Sequence, residues 1–385
     1  MLKLFPQRKE LCCGCGACAQ ACRHNCIFMM EDDEGFSYPY IEKSKCINCG
    51  LCKKTCPFNS CSQEVIPLNA FVAINDDSQE RAQSSSGGIF SLVAATIIKQ
   101  KGIVFGAKFD KDWLVCHTSV ESWEELNSLR GSKYLQSRIG EEYRHAEEEL
   151  KKGRKVLFCG TPCQISGLKH YLQKDYDNLI TVDFICHGVP SPKLWKWYLN
   201  HIPSIRSSFI TGVCFRDKTN GWSNYEIRID HSDDSINGAY AVPFFSDSYM
   251  KAFLSNLSLR PSCYSCKVKC GRSHSDMTLG DFWGVEKVAP SYYDDKGTSL
   301  VLANTLKAME LLENDNIKKS KVDFKEAIAN NWCWERSVDK NDNRTLFFRR
   351  YKIHTEDFDA FVKENEHKRP SFFVLIKRRL KRYFC

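Results

Sequence analysis

Eight cysteines between positions 12 and 56 fall into one pattern written twice: Cys, two residues, Cys, two residues, Cys, three residues, Cys. The first copy is Cys12, Cys15, Cys18 and Cys22; the second is Cys46, Cys49, Cys52 and Cys56, followed by Pro57. Such short spacings let three thiolates converge on one centre from a single tight turn. Gly14, Gly16 and Gly50 leave room for backbone N–H groups to approach that centre. Zinc sites use two C-x2-C pairs, which explains neither the triplet nor its duplication. Disulfides belong to secreted chains, and no signal peptide precedes these cysteines.

The pattern resembles the ligand run of bacterial two-cluster ferredoxins, in which the fourth cysteine of each run crosses to the other cluster. That resemblance assigns Cys12, Cys15, Cys18 and Cys56 to one [4Fe-4S] cluster, and Cys46, Cys49, Cys52 and Cys22 to the other. Arg23 stands where the second copy has Pro57; proline is not a ligand, so the assignment is unaffected. Cys13, Cys26 and Cys61 fall outside the pattern and read as free buried thiols.

Length and composition bound the rest. The 385 residues suffice for two or three domains with their own cores. A hydrophobic fraction of 43% and a charged fraction of 26% are those of an ordinary soluble protein. No apolar run approaches the roughly 18 residues a membrane span needs. The 21 cysteines without a targeting segment imply a reducing cytoplasm and thiols used as metal ligands. Much of the net charge of +8 sits in residues 363–385, with eight Lys or Arg against Glu364 and Glu366. The remainder is too balanced for a nucleic-acid surface.

Residues 1–66 are expected to form the two-cluster domain, 67–330 a mixed α/β domain, and 331–385 a polar extension with a basic tail. Phe71–Ile74 reads as a short strand, 76–83 as a loop, and Ser85-Ser86-Gly87-Gly88 as the entry to a helix ending near Lys99. Serines cap helices and glycines allow close approach, so this loop is either a cap or an anion site. Strands over 103–107, 155–158 and 179–185 alternate with helices, which argues for a mainly parallel sheet. Strands also gather around Trp222, Tyr225 and Ile229, and a last strand covers 297–304. In parallel sheets, ligands sit beyond the carboxyl ends of strands, where Cys163 and Cys186 fall.

Cys163, Cys186, Cys263 and Cys266 could meet as an all-thiolate site suited to zinc or iron–sulfur. The rival reading makes Cys163 or Cys186 a nucleophile with His187 as base, but adjacent residues seldom face each other. The motifs from Ser84 onward resemble the coenzyme F420 hydrogenase/dehydrogenase beta-subunit family. They are the 85–88 loop, Gly131-Ser132-Lys133-Tyr134, Gly160-Thr161-Pro162-Cys163-Gln164, Asp183 through Pro190, the pair Cys263 and Cys266, and Gly280-Asp281-Phe282-Trp283-Gly284.

The resemblance covers roughly residues 70 to 310 and implies FAD and a third [4Fe-4S] cluster held by Cys163, Cys186, Cys263 and Cys266, with Cys270 as a substitute ligand. It makes Ser85, Ser86, Gly87 and Gly88 the FAD pyrophosphate site and lays Gly131, Ser132, Lys133 and Tyr134 along the flavin. Lys133 would stabilise charge on the reduced ring. Tyr134 would stack on it, or else serve as a core aromatic. Asp276 and Asp281 read as turn or helix caps in preference to flavin contacts.

The expected function is an iron–sulfur flavoprotein oxidoreductase acting on a two-electron substrate. That substrate is a coenzyme F420-like deazaflavin or another organic molecule, including one of cell-surface polysaccharide metabolism. The alternative is an electron-transfer subunit serving a partner hydrogenase, dehydrogenase or reductase without its own substrate. Partners are accordingly an electron donor or acceptor protein and a small molecule. The run Phe372–Ile376 before Lys377, Arg378, Arg379, Lys381 and Arg382 suits either an anionic membrane surface or a docked helix.

Overall fold

The computed structural model describes residues 2–4, 6, 8–60, 62–202, 205, 209–232, 237–351 and 357–365. The apolar-basic tail from Phe372 and the thiol of Cys61 lie outside the described residues.

The cysteine-rich half folds as two copies of one loop-and-helix unit beside a three-stranded antiparallel sheet. Its strands are β1 (Leu2–Leu4), β2 (Ile27–Glu31) and β3 (Ser37–Glu42), in the order β1-β3-β2. In each copy a glycine in the left-handed region starts a short helix. Gly16 (φ 75°) precedes Ala17–Gln20, and Gly50 (φ 76°) precedes Leu51–Lys54.

The larger half begins with β4 (Asn69–Asn75), β5 (Ile103–Phe109), β6 (Val115–Val120), β7 (Val156–Cys159) and β8 (Leu179–Phe184). A separate antiparallel sheet follows, of β9 (Phe209–Asp217), β10 (Glu226–Ser232) and β11 (Asn237–Pro243). The chain then returns through β12 (Met277–Asp281), β13 (Ser299–Ala303) and β14 (Ile317–Val322). The eight-stranded sheet runs β14-β4-β13-β12-β8-β7-β5-β6. Only β12, β8, β7 and β5 are parallel to their neighbours in that run; every other pairing is antiparallel.

This corrects the expectation of a mainly parallel sheet. The β-α-β units occupy its centre, and hairpin-like returns close both flanks. Several elements were missed, β6 and the following two among them. The stretch 78–83 is helical, because the Asp77 carboxylate accepts from the N–H groups of Gln79 and Glu80 and so caps a helix. The strand at 299–303 is not the last, since β14 pairs with β4 at the sheet edge. Its four charged or hydroxyl side chains (Lys318, Lys319, Ser320, Lys321) hid it from a hydrophobic pattern and suit an edge.

The two halves share their cores. Phe36, Tyr38 and Cys12 pack in one cluster with Trp195, Tyr249 and Phe253, to which Phe347, Phe358 and Phe361 of the C-terminal segment also belong. Cys13, Cys15, Ala17 and Phe58 pack with Phe105, Tyr143, Phe158 and Leu168. Polar ties accompany this packing. Gln20 accepts from the N–H groups of Tyr143 and Arg144, and Glu34 pairs with buried Arg344.

The 85–88 loop lies against β4 and β13. A Cβ on Gly87 would stand 2.6 Å from the Ala73 carbonyl oxygen and 2.7 Å from the Ser299 nitrogen, both backbone atoms. Gly87→Ala is therefore expected to lower stability by roughly 1–3 kcal/mol, the range for overpacking a rigid site. Thermal unfolding checks this; an unchanged midpoint would show that the loop yields.

Candidate cluster and flavin sites

The first thiolate set forms where the inner copy of the repeat meets the cysteine after the outer helix. The Cys18 thiol is driven far up by burial and then by Cys12, Cys56 and Cys52. Burial likewise raises Cys56, opposed by the N–H of Phe58 and reinforced by Cys12. Cys15 also interacts with Cys18 and Cys56. Cys12, Cys15, Cys18 and Cys56 are thus brought together, with Cys56 crossing from the second copy.

In the outer set, burial raises Cys52, followed by Cys46, Cys49 and Cys22. Cys22 itself goes down: burial raises it, but the N–H groups of Cys26, His24 and Asn25 and the Cys26 thiol outweigh that. Cys49 is exposed, whereas the inner Cys12, Cys15, Cys18 and Cys22 are buried.

Two further thiols lie beside these sets. Cys26 is buried 3.4 Å from the Cys22 sulfur and is pushed up to about 12, chiefly by burial. Cys13 is buried and packs in one cluster with Cys15 of the first set and Cys163. Both are buried, as expected.

Cys163, Cys186, Cys263 and Cys266 also converge, though three separate segments supply them. Cys163 sits in the first turn of the helix Pro162–Leu172, Cys186 just beyond β8, and the pair in and beside the short turn Pro261–Ser265. Burial raises Cys186, which also feels Cys263, Cys163 and Cys266. Cys263 is pushed up to about 12 by burial and interacts with Cys266 and Cys163. Cys270 points elsewhere, donating to the Glu335 carbonyl at 3.1 Å. His187 is turned from Cys186 towards Asn256 (2.7 Å) and Cys333 (3.7 Å).

Four thiols held this close cannot all ionise unaided, because each thiolate raises its neighbours' cost of losing a proton. A multinuclear cationic iron core relieves that repulsion, and the donor sets fit it. Among the described residues no three His, Cys, Asp or Glu side chains converge tightly enough for a single metal ion. A cubane spreads its four thiolates more widely than one ion does.

The two loops expected to meet FAD do meet each other. The Ser132 N–H donates to Ser85 Oγ at 2.6 Å, and Arg130 donates to Gln83. Lys133 Nζ donates to the carbonyls of Leu129, Arg130 and Gly131, and burial pushes it down to about 8. Tyr134 stacks on Phe253 with ring centroids 5.0 Å apart and holds its hydroxyl near Arg216. Ser86 Oγ donates to the Thr298 carbonyl, and Gly88 (φ 83°) begins the helix Ile89–Lys99 without a side-chain cap.

Sequence reasoning missed three groups here. Lys218 Nζ donates to the carbonyls of Arg81, Ser86 and Lys296 and is lowered to about 8, mainly by burial. Asn75 is 1% exposed, lies beside Gly88, and leaves its Nδ2 without a partner. Arg216 pairs with Asp281, which also accepts from Trp222 Nε1, so Asp281 is an ion-pair member rather than a cap. Asp276 instead ties β8 to β12 by accepting from the Thr181 N–H and hydroxyl and from Thr305. None of the expected site residues lines the open cleft of about 560 Å³ at the opposite end of β8, between Gln100, Lys155, Asn178 and Lys307.

Residues 11–60 match the model of the 4Fe-4S dicluster domain, and residues 153–329 match the model for the C terminus of the coenzyme F420 hydrogenase/dehydrogenase beta chain. The chain thus carries one segment similar to each of these two families, and no helix among the described residues is long and apolar enough to cross a membrane. The beta-subunit match covers Cys163, Cys186, Cys263 and Cys266 but begins after the 85–88 and 131–134 loops. A chain of the F420-reducing [NiFe] hydrogenase complex from Methanosarcina barkeri aligns over 76% of this chain and 95% of its own length, at 16% identity and a TM-score of 0.47. No match was found among curated proteins.

Two lysines held mostly by carbonyls predict a pH signature. Their folded pKa values, about 8, lie below the usual 10.5. Between those limits the unfolded chain binds more protons, so this pair's contribution to stability rises with pH from about 8 to 10.5. Lys133→Met with Lys218→Met is expected to flatten that rise and stabilise the flavin-free protein at neutral pH. Parallel unfolding curves for wild type and variant across that window would contradict it.

Proposed function

We propose that the chain is an iron–sulfur flavoprotein oxidoreductase in which three cubanes lead to one FAD at the carboxyl edge of the central strands. The observation that carries this reading is the packing of Cys13 in one cluster with Cys15 of the first set and Cys163 of the third, which joins the two sets. Residues 1–66 would hold two clusters, 67–330 the third cluster and FAD, and 331–385 would be a polar extension with a basic tail, of which Phe347, Phe358 and Phe361 pack on the core. Cubanes carry one electron at a time and a flavin one or two, so together they join one-electron traffic to a two-electron reaction.

For FAD, the support is the orphaned Asn75 Nδ2 beside an uncapped helix start, free donors that suit a pyrophosphate, with Lys218 supplying charge from behind the Ser86 carbonyl. Lys133 would then meet the anionic edge of the ring system, and Ser85, Ser86, Gly131 and Ser132 would shape the cradle. The substrate would be a deazaflavin of the coenzyme F420 type or another organic two-electron acceptor. A second reading, an electron-transfer subunit for a partner enzyme, is favoured by the exposure of Cys49 and of Ile47 (63%) at the outer set.

Iron, acid-labile sulfide and flavin are to be counted on anaerobically reconstituted protein. About twelve iron and one FAD are expected, four iron per cubane. Cys266→Ser should remove about four iron, and Cys270→Ser none. Asn75→Ala with Lys218→Met should lose flavin and keep the iron. Iron without flavin in the wild type, and no turnover of a soluble acceptor by the chain alone, would leave the electron-transfer subunit.

A further inference from the structure

Among the described residues four arginines are buried, and three have a carboxylate: Arg81 with Asp294, Arg216 with Asp281, Arg344 with Glu34. Arg260, fully buried, pairs with none of them. Its Nε donates to the Cys12 carbonyl at 2.8 Å, and its Nη2 to the Ser37 carbonyl at 3.0 Å and to the Cys12 sulfur at 3.6 Å. Its Nη1 donates to Gln136 Oε1 at 2.8 Å, and its guanidinium lies 4.2 Å from the centre of the Tyr38 ring. A buried cation without a counter-anion is costly. The groups of potential negative charge around it are Cys12, Cys13, Cys263 and Tyr38.

The repeat itself marks the site. Gly14 has Asn48 as its counterpart in the outer copy, and both adopt left-handed backbone (φ 73° and 57°). At Asn48 the side chain faces solvent. At Gly14 a Cβ would stand 2.7 Å from Arg260 Nη1 and 2.9 Å from its Cζ. The inner loop is thus a glycine where the guanidinium must lie flat against it.

We propose that Arg260 is the counter-charge of the cubane held by Cys12, Cys15, Cys18 and Cys56, and that it raises that cluster's reduction potential above the outer one's. This rests on the cluster assignment above. Reduction adds negative charge to a centre already ringed by four thiolates, and a fixed cation nearby favours the reduced state. The outer cubane, at Cys22, Cys46, Cys49 and Cys52, has no such partner among the described contacts of its cysteines. The Arg260 carbonyl also accepts from the Cys263 N–H at 3.0 Å, so this residue sits between the first set and the third.

The test is a redox titration followed by electron paramagnetic resonance on the reconstituted full chain, with iron counted first. Arg260→Gln should lower one midpoint by at least a tenfold change in the one-electron equilibrium, about 59 mV. The outer cubane should not move, and Arg260→Lys should recover most of the shift. If Arg260→Gln fails to load iron, Gln136→Glu replaces it. This near-isosteric change gives the guanidinium a carboxylate and should lower the same midpoint. Unmoved midpoints, or an equal shift of every cubane, would overturn the proposal. A wild-type chain without cluster iron would overturn the cluster assignment instead.

Discussion

Mutual repulsion among thiolates is the constraint on which this structure turns. Twelve cysteines converge in three sets inside or beside a low-dielectric core, and most of their thiols are driven upward by burial and by one another. An apolar core would not gather them, since each loses solvation on burial and gains a like-charged neighbour on ionising. Short helices started by Gly16 and Gly50, a proline-led helix carrying Cys163, and the strand end before Cys186 nevertheless hold them in place. Bound iron would relieve that repulsion.

The sheet explains why the third set and the 85–88 and 131–134 loops lie at one edge. Parallel β7 and β8 end at the same edge, and each delivers a cysteine within four residues of its last strand position. The antiparallel return of β12 and β13 brings Asp281 and Ser299 to the 85–88 loop. Aromatic packing around Tyr134, Phe215, Trp195 and Tyr249 fills the space between that edge and the ferredoxin-like half.

Local motifs were legible in the sequence; their partners were not. The duplicated cysteine runs fixed two thiolate sets because ligand spacing is a property of a single loop. The third set could be gathered from three motifs, but zinc, iron–sulfur and a nucleophile stayed open until a family resemblance was added, since Cys163, Cys186 and Cys263 come from distant segments. Arg260, Lys218 and Asn75 carried no signal, because a lone basic or amide residue acquires meaning only from the carbonyls and sulfurs that surround it. The flanking antiparallel strands were hidden for another reason. Half of β14 is lysine, and β6 alternates without a hydrophobic run.

The shared core couples iron supply to folding. Phe36, Tyr38 and Cys12 are part of the same apolar cluster as Trp195, Tyr249 and the C-terminal phenylalanines. Closing the cysteine loops around metal therefore also seats the aromatic wall of the larger half, and binding energy at the metal becomes folding energy elsewhere. A chain made under iron starvation would leave that wall unfinished, with its aromatic residues open to chaperones and proteases. Metal availability would then govern how much of this protein persists, before any electron is carried.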